Sequence, residues 1–358
     1  MKDTPKMNIR ITGSGSYIPE IKVKNTDFDK HVFLNDDGTP FAYSNDVVIG
    51  KFKSITGIHE RRYAEAHLCS SDLAFFAAEK AIKNANIDPE TLDYIIFAHN
   101  FGDVKPDAIQ SDTVPSLATR VKFKLRIKNP KCVAYDVLFG CPGWIEGMLQ
   151  ANAFIKSGMA KRCLVIGAET LSRVVDAHDR DSMIYADGAG ASIVEACDDN
   201  DGLLAYESAT FAYDEANYLF FGNSFNTDLD PNVRYIKMYG RKIYEFALNE
   251  VPQAMKSCLD KSGVAIGELK KILIHQANEK MDEAIVNRFY KLYDLNMPEG
   301  IMPMSITFLG NSSVATIPTL YDLLVSNKIE NQELHKGDVV IFASVGAGMN
   351  VNAFVYRY

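Results

Sequence analysis

Apolar runs rich in Val, Ile and Leu recur along the chain, and segments with helical spacing separate them. A run that is apolar at nearly every position is typical of a strand buried on both faces of a sheet. The runs predicted as strands are residues 94–98, 132–137, 163–167, 272–274 and 339–343. Between them, one predicted helix begins at Ser71, and another begins at Pro142 and ends at Gly158. This alternation predicts an α/β protein.

The two halves of the chain share a weak internal repeat. The run Ile-Ile-Phe-Ala before His99 recurs as Ile-Leu-Ile before His275, and helix-period segments follow both. The matching positions are His99 with His275, Cys141 with Asn311, and Ala168 with Ser344, at offsets of 176, 170 and 176 residues. Offsets that stay nearly constant over three motifs indicate a duplication.

The repeat divides the chain at the polar stretch Asn200-Asp201-Gly202. We therefore expect an N-terminal half, residues 1–200, that carries Cys141, and a C-terminal half, residues 201–358, that carries the matching asparagine. Residues 35–46 combine Asn, Asp, Gly, Pro and Ser and are interpreted as an inserted loop.

Composition and net charge limit the classes of protein to which the chain can belong. The 358 residues are 47% apolar and 23% charged, which is typical of a globular protein. The net charge of −8 provides no overall positive field for nucleic acid or anionic lipid. No apolar run has the length of a membrane span and the start lacks the apolar core of a signal peptide, so we expect a cytoplasmic protein. The six cysteines lack C-x-x-C spacing and predict neither a disulfide scaffold nor a zinc site.

Cys141 stands where a predicted strand ends in Gly140 and a helix begins at Pro142. Free N–H groups and the dipole at a helix N-terminus favour a thiolate, so this thiol is a candidate nucleophile. The alternative is a buried structural cysteine.

His275 follows a predicted buried strand, at the edge where α/β proteins place their sites, and Asn311 lies in Gly-Asn-Ser-Ser. Taken alone, the histidine also fits a structural role and the asparagine a turn. Because the repeat places Cys141 and Asn311 at corresponding points, packing of the halves is expected to bring both together with His275.

A Cys, His and Asn cluster suits thioester chemistry. The cysteine accepts an acyl group, and two neutral N–H donors hold the carbonyl oxygen of a second thioester while negative charge develops on it. The backbone N–H of Gly346, in Ser-Val-Gly-Ala-Gly, is a candidate oxyanion-hole donor, although glycine there also fits a tight turn.

Taken together, the motifs resemble β-ketoacyl-acyl carrier protein synthase III, a ketosynthase of the thiolase fold, over nearly the whole chain. The segments that carry the resemblance are Thr56–Arg62, Ala134-Tyr135-Asp136 leading to Cys141, Lys156-Ser157-Gly158, Asp179-Arg180, Asp187–Ala191, Lys237–Gly240, His275–Asn278 and Gly310–Ser313.

The resemblance implies two pseudo-symmetric halves in a five-layer αβαβα arrangement, and usually a homodimer. It implies that Cys141 is acylated, that His275 and Asn311 stabilise the enolate formed when a malonyl thioester loses carbon dioxide, and that the N–H groups of Cys141 and Gly346 form the oxyanion hole. It implies no metal or redox cofactor, since coenzyme A and carrier-protein thioesters are the substrates.

Two departures from the family concern the primer. The aromatic and arginine side chains that commonly sandwich the adenine of coenzyme A are replaced by Lys51 and Ile55, while Arg180 keeps its place. This weakens the expectation of coenzyme A binding and leaves open that acyl carrier protein delivers the primer. Val114 stands where the family often has a phenylalanine that closes the acyl pocket across the dimer, so a longer or bulkier acyl group is expected to fit.

Acyl carrier proteins are acidic, so docking requires a local basic patch. The candidates are Arg241, Lys242, Lys280 and Arg288. A solvated helix face explains these residues equally well.

The resulting hypothesis is a condensing enzyme that extends an acyl primer by two carbons from malonyl-acyl carrier protein, in fatty-acid initiation or a specialised pathway. The alternatives are a Cys-dependent acyl hydrolase, a 3-hydroxy-3-methylglutaryl-type synthase and a noncatalytic scaffold for a synthase partner.

Overall fold

The computed structural model describes residues 8–197 and 201–358. The strands are β1 Asn8–Tyr17, β2 Ile21–Lys24, β3 Glu60–Tyr63, β4 Tyr94–Ala98, β5 Val133–Val137, β6 Arg162–Thr170, β7 Asp187–Cys197, β8 Gly202–Thr210, β9 Leu219–Gly222, β10 Tyr235–Met238, β11 Leu269–Ile274, β12 Val339–Gly346 and β13 Asn350–Arg357. The helices are α1 Asn45–Thr56, α2 Ser70–Ala85, α3 Leu117–Lys124, α4 Gly143–Lys156, α5 Gly240–Ser262, α6 Glu279–Lys291, α7 Ile306–Leu309 and α8 Thr316–Val325. The runs predicted as strands are strands, and both predicted helices form.

Local hydrogen bonds explain where helices begin and end. At the start of α2, the Asp72 carboxylate accepts the backbone N–H of Cys69 at 2.8 Å, and at the start of α6 the side chain of Asn278 accepts the N–H of Met281 at 3.1 Å. α1 ends at Gly57, whose φ of 73° is left-handed. α1 begins at Asn45, so the prediction that the inserted loop extends to residue 46 is wrong by two residues.

Two sheets repeat the same strand order. The first has the order β1-β7-β6-β4-β5, and the second has the order β8-β13-β12-β11. The parallel pairs are β6 with β4 and β4 with β5 in the first sheet and β12 with β11 in the second, and the other pairs of both sheets are antiparallel. At β11, the edge where a further strand would extend the second sheet, the N–H of Ile272 donates to the carbonyl of Ile301 at 2.8 Å. The repeated order is what a duplication produces.

Helices cover and separate the two sheets. α2 and α3 pack on the outer face of the first sheet, and α5 packs on the second sheet with α6 against it. α4 and α8 lie between the sheets and contact strands of both. The described residues therefore form the five layers expected. The dividing point stays a prediction, because residues 198–200 lie outside the described part of the chain.

The central layer is anchored by the single tryptophan of the sequence. Trp144, in the first turn of α4, is 1% exposed and packs 5.9 Å from the ring of Phe342 and 6.2 Å from that of Phe354. Because both phenylalanines belong to the second sheet, this contact fixes the beginning of α4 against the C-terminal half. The residue that precedes α4 is thereby held near the ends of β11 and β12.

Candidate active site

Three separate turns contribute side chains to one cavity of about 620 Å³. Cys141 lies between the end of β5 and the beginning of α4, His275 directly follows β11, and Asn311 follows α7. All three line the cavity, as does Gly346 at the end of β12. The structure therefore brings together the four residues that the sequence singled out for chemistry.

The turn that carries Cys141 passes very close to the end of β12. A Cβ atom added to Gly346 would lie 2.4 Å from the backbone nitrogen of Cys141, and one added to Gly140 would lie 2.7 Å from the nitrogen of Ala347. Neither position has room for a side chain, and Gly140 also has a left-handed φ of 66°. The glycines thus allow the backbone of Cys141 to lie beside the backbone of Gly346.

Burial decides the protonation state of the candidate nucleophile. It raises the pKa of the Cys141 thiol to about 11, while a hydrogen bond from the Ser313 hydroxyl to Sγ, at 3.3 Å, acts in the opposite direction. Desolvation therefore opposes the effect of the helix N-terminus, which favours a thiolate. The thiol is protonated at neutral pH, and its proton must be lost as acyl transfer proceeds.

His275 is 4% exposed and its backbone N–H donates to Ala343 at 2.8 Å. Burial lowers the pKa of the imidazole to about 4, because the charged form is poorly solvated. Nδ1 is buried and has no hydrogen-bond partner among the described residues. At neutral pH the ring is therefore uncharged and can present one N–H to a ligand.

The side-chain amide of Asn311 is oriented by its own turn. Its Oδ1 accepts the N–H of Ser313 at 2.8 Å, so Nδ2 is the polar atom left for a ligand. Two backbone hydrogen bonds hold the residue in place, from its N–H to the carbonyl of Ile184 at 3.0 Å and from the N–H of Ala186 to its carbonyl at 2.8 Å. Asn311 and His275 can thus supply two neutral N–H donors to one cavity.

His99, the repeat counterpart of His275, has a different environment. It is 1% exposed, its Nε2 lies 3.0 Å from Asp136 Oδ2, and its Nδ1 accepts the N–H of Gly102. The carboxylate of Asp136 also accepts two N–H groups at the beginning of α3. His99 therefore holds β4, β5 and α3 together, whereas its counterpart lines the cavity.

Two cations at the cavity rim contact aromatic rings from the inserted loop. The Lys51 ammonium lies 4.0 Å from the ring centre of Tyr43, and the Arg180 guanidinium lies 5.2 Å from that of Phe41. All four residues line the cavity, and so does Ile55, which is 49% exposed. The inserted loop therefore places aromatic side chains beside the cations at the rim.

The residues predicted to dock a carrier protein are exposed, but they have different partners. Arg241 lines the cavity and forms an ion pair with Glu245 at 2.9 Å. The ammonium of Lys242 lies about 5 Å from two tyrosine rings. Arg288 donates to the carbonyl of Leu248 at 3.1 Å. Lys280 is exposed in the first turn of α6, close to cavity-lining residues of the same turn.

Val114 does not line the cavity of its own chain. Its side chain is 85% exposed, and it borders a surface groove with Asp112, Pro115 and Phe123. Any contact of Val114 with an acyl group therefore requires the residue to enter a second copy of the chain.

Sequence reasoning gave no role to three residues behind the nucleophile. Ser313 belongs to the Gly-Asn-Ser-Ser motif, Asn100 follows His99 in the repeated run, and Glu169 lies near the end of β6. Thr170, the last residue of β6, and Gly346 are 176 residues apart, as are His99 and His275. This shared offset is the sequence signal that the end of β6 lies near the site.

Two further observations concern the described residues as a whole. They contain no group of His, Cys, Asp and Glu side chains suited to hold a metal ion. No helix in residues 8–197 or 201–358 is long and apolar enough to cross a membrane.

Comparison with known proteins gives full-length similarity to one family. The family profile described as 3-oxoacyl-[acyl-carrier-protein (ACP)] synthase III matches residues 135–211, and its C-terminal profile matches residues 259–358. β-Ketoacyl-[acyl-carrier-protein] synthase III of Staphylococcus haemolyticus is 31% identical over 98% of this chain and 99% of that protein. The crystal structure of 3-oxoacyl-[acyl-carrier-protein] synthase III from Aquifex aeolicus has a TM-score of 0.80 and 30% identity, and covers 98% of this chain and 100% of the other. The enzyme from Thermus thermophilus gives a TM-score of 0.79 at 28% identity, covering 97% of this chain and 98% of the other.

Proposed function

Since this chain belongs to the β-ketoacyl-[acyl-carrier-protein] synthase III family, we propose that Cys141, His275 and Asn311 carry out its condensation reaction. The chain is an acyltransferase with the expected thiolase fold. Its reaction is the decarboxylative Claisen condensation of an acyl primer thioester with malonyl-acyl carrier protein, which gives a 3-oxoacyl thioester and needs no cofactor. The hydrolase, 3-hydroxy-3-methylglutaryl-type and scaffold alternatives are not favoured.

The first half-reaction loads the primer on Cys141. Its sulfur attacks the carbonyl carbon of the primer thioester, and the N–H groups of Cys141 and Gly346 hold the carbonyl oxygen as it becomes negative. The carbon–sulfur bond of the donor breaks, and the proton lost by Cys141 ends on the leaving thiol. The close approach of the two backbones, described above, supports this assignment.

The second half-reaction forms the carbon–carbon bond. The thioester oxygen of the malonyl group accepts N–H bonds from His275 and from Asn311 Nδ2, so the enolate formed by loss of carbon dioxide is stabilised. The enolate carbon attacks the acyl carbon on Cys141, and the cysteine sulfur leaves as a thiolate that takes up a proton from solvent. The observation that carries the proposal is that both donors are neutral and line the same cavity as the cysteine.

We propose that the malonyl donor docks near Arg241 and Lys280, where exposed cations adjoin the cavity rim. Arg180 and Lys51 already contact the aromatic rings of the inserted loop. This supports the proposal that the primer also arrives on carrier protein rather than on coenzyme A. The roles of Lys242 and Arg288 in docking stay predictions, as does the cytoplasmic location.

We also propose that the active form is a homodimer. Val114, at 85%, and Phe123, at 66%, are exposed and border one groove, and Ile109, at 71%, lies between two residues that line it, Ala108 and Gln110. A second copy would cover them and would bring Val114 to the acyl cavity of its partner, as the family resemblance implies.

Separate measurement of the two half-reactions tests the proposal. Intact mass after incubation with acyl donors should show one added acyl group in the parent and none in Cys141→Ser. His275→Ala and Asn311→Ala should reduce malonyl decarboxylation about 100-fold, the usual scale for a lost oxyanion donor, with a smaller effect on acylation.

His335→Ala is the control, because the side chain of His335 is 73% exposed. It should retain both half-reactions. Full acyl loading of Cys141→Ser would disprove the nucleophile assignment, and equal loss of both steps in the histidine and asparagine variants would disprove the division between them.

A further inference from the structure

A row of hydrogen bonds leads from a buried carboxyl group to the sulfur of Cys141. The Ser313 hydroxyl donates to Sγ at 3.3 Å, and Asn100 Nδ2 lies 3.1 Å from the oxygen of that hydroxyl. Asn100 Nδ2 also lies 2.6 Å from Glu169 Oε1, which accepts the backbone N–H of Asn100 at 2.7 Å. The four residues come from separate turns and strands, so only the folded chain aligns them.

In each hydrogen bond of this row, the donor and the acceptor can be assigned. Glu169 Oε1 accepts two N–H groups of Asn100, so the side-chain amide must direct its NH₂ group toward it. The second proton of that NH₂ group points to the Ser313 oxygen and occupies one of its lone pairs. The hydroxyl proton of Ser313 is then left for Cys141 Sγ.

The backbone of Ser313 is held in an uncommon conformation. Its φ of 52° is left-handed, which is unusual for a residue other than glycine. The N–H of Ser313 donates to Asn311 Oδ1 at 2.8 Å. The next residue packs against Gly167, where an added Cβ would lie 2.3 Å from the carbonyl oxygen of Val314. The turn therefore fixes the Ser313 hydroxyl and the Asn311 amide as one unit.

The other titratable groups around the row are buried acids and a neutral imidazole. Glu169 is 0% exposed, and burial raises its pKa to about 8; Asp187, which adds to this effect, also has a raised pKa. Tyr185 is close enough to Cys141 for their charges to interact, and its pKa is raised as well. His275 lines the same cavity and is uncharged at neutral pH. The Ser313 hydroxyl is the side chain that favours the thiolate.

We propose that Ser313 is a further catalytic residue that stabilises the thiolate of Cys141 during acyl transfer. Asn100 and Glu169 are positioning residues that direct its hydroxyl toward the sulfur. This inference rests on the proposed role of Cys141 as nucleophile. Ser313 keeps its own proton throughout: the sulfur–carbon bond forms on Cys141, the donor carbon–sulfur bond breaks, and the leaving thiol takes the proton of the cysteine.

The pH dependence of Cys141 alkylation tests this role without any substrate. Iodoacetamide reacts with the thiolate, and intact mass with peptide mapping reports the reaction at Cys141 alone. In Ser313→Ala, we expect the pKa of the thiol to rise by about one unit and the alkylation rate at pH 8 to fall about tenfold, since a hydrogen bond to a charged group is lost. Asn100→Ala should change both in the same direction, but less.

Ser312→Ala is the matched control. Ser312 is also buried in this turn, but its hydroxyl lies 3.5 Å from Thr316 Oγ1 rather than beside the sulfur. Its alkylation profile should coincide with that of the parent. If Ser313→Ala fails to fold, the Asn100→Ala profile decides: a raised thiol pKa supports the proposal, and an unchanged one overturns it.

An alkylation profile of a folded Ser313→Ala that coincides with the parent profile would also overturn the proposal. This outcome is distinct from failure of the proposed function. That failure would appear as acyl loading of Cys141→Ser, whereas the alkylation profile reports only the environment of the Cys141 sulfur.

Discussion

Glu169 and His275 are buried near Cys141, the proposed nucleophile, and burial moves their pKa values in opposite directions. Desolvation disfavours whichever form is charged, so the pKa of the carboxyl rises to about 8 and that of the imidazole falls to about 4. Both groups are therefore mostly neutral at pH 7. The single residues around Cys141 supply hydrogen-bond donors rather than fixed charges, which suits a reaction whose negative charge is transient.

The raised pKa of Glu169 predicts a pH-dependent stability difference for Glu169→Gln. Between about pH 4.5 and pH 8 the folded parent holds a proton that the unfolded chain has released, so the parent loses stability as pH rises through this window. Glutamine cannot ionise and keeps an acceptor for Asn100. Relative to the parent, the variant should therefore have a Tm about 5 °C higher at pH 8.5 than at pH 5, measured by thermal unfolding.

Glu299→Gln is the control for this comparison, because Glu299 is exposed and its carboxylate is solvated in the folded as in the unfolded chain. Its Tm difference from the parent should be the same at both pH values. The same behaviour in Glu169→Gln would show that the Glu169 carboxyl is already ionised in the folded protein at neutral pH.

At the scale of secondary-structure elements, the parallel pairing of β11 and β12 builds one wall of the site. Ile274 pairs with Ala343, so the two strands end side by side and deliver His275 and Gly346 to the same edge. The beginning of α4 meets this edge from the N-terminal half. The site is therefore a junction between strand ends of one half and a helix N-terminus of the other.

Gly346→Ala should disrupt this junction. The new methyl group would lie 2.4 Å from the nitrogen and 2.9 Å from the Cβ of Cys141, so the turn must move and the proposed oxyanion pair is displaced. We expect acylation of Cys141, followed by intact mass, to slow at least about 100-fold. Gly267→Ala is the control, because a Cβ there meets open space. Acylation of Gly346→Ala at the parent rate would contradict this reading of the junction.

At the scale of the whole molecule, the duplication brings the chemistry together. Corresponding turns of the two halves carry Cys141 and Asn311, and the five layers pack these turns against each other. We propose that primer choice, in contrast, depends on parts that do not repeat: the inserted loop at the rim and the exposed segment around Val114.

Primer selectivity should respond to Val114→Phe. If a second copy places this residue at the acyl cavity, the small side chain leaves room for longer primers, each buried methylene being worth about 0.8 kcal/mol. We expect the parent to prefer C6–C10 over acetyl primers, particularly on carrier protein, and Val114→Phe to shift the preference toward short chains. Competition assays with both carriers measure this.

Met159→Phe is the control, because Met159 is also exposed, at 60%, and lines neither the acyl cavity nor the groove that Val114 borders. It should keep the parent chain-length profile. A parent that strongly prefers acetyl-coenzyme A would show that neither Val114 nor the rim residues control selectivity.

Local sequence patterns were enough to predict five of the strands, two of the helices and the position of the candidate nucleophile. Strands buried on both faces must be apolar throughout, so β4, β6 and β12 could be predicted from local pattern. Glycine and proline around Cys141 mark a strand-turn-helix junction because they restrict the backbone locally. The repeat predicted which turns would meet, since copies of one topology pack symmetrically.

The hydrogen-bond partners, burial and pKa values of those residues depend on the packing of the whole chain. His99 and His275 occupy matching places in the sequence. His99 is hydrogen-bonded to Asp136, whereas His275 lines the cavity. The thiol pKa of Cys141 depends on desolvation by the whole fold, which opposes the local effect of the helix. Ser313 lies 172 residues from Cys141 along the chain and 3.3 Å from its sulfur. Hydrogen bonds between such distant segments leave no periodic pattern in a sequence, because their geometry exists only after the layers have packed.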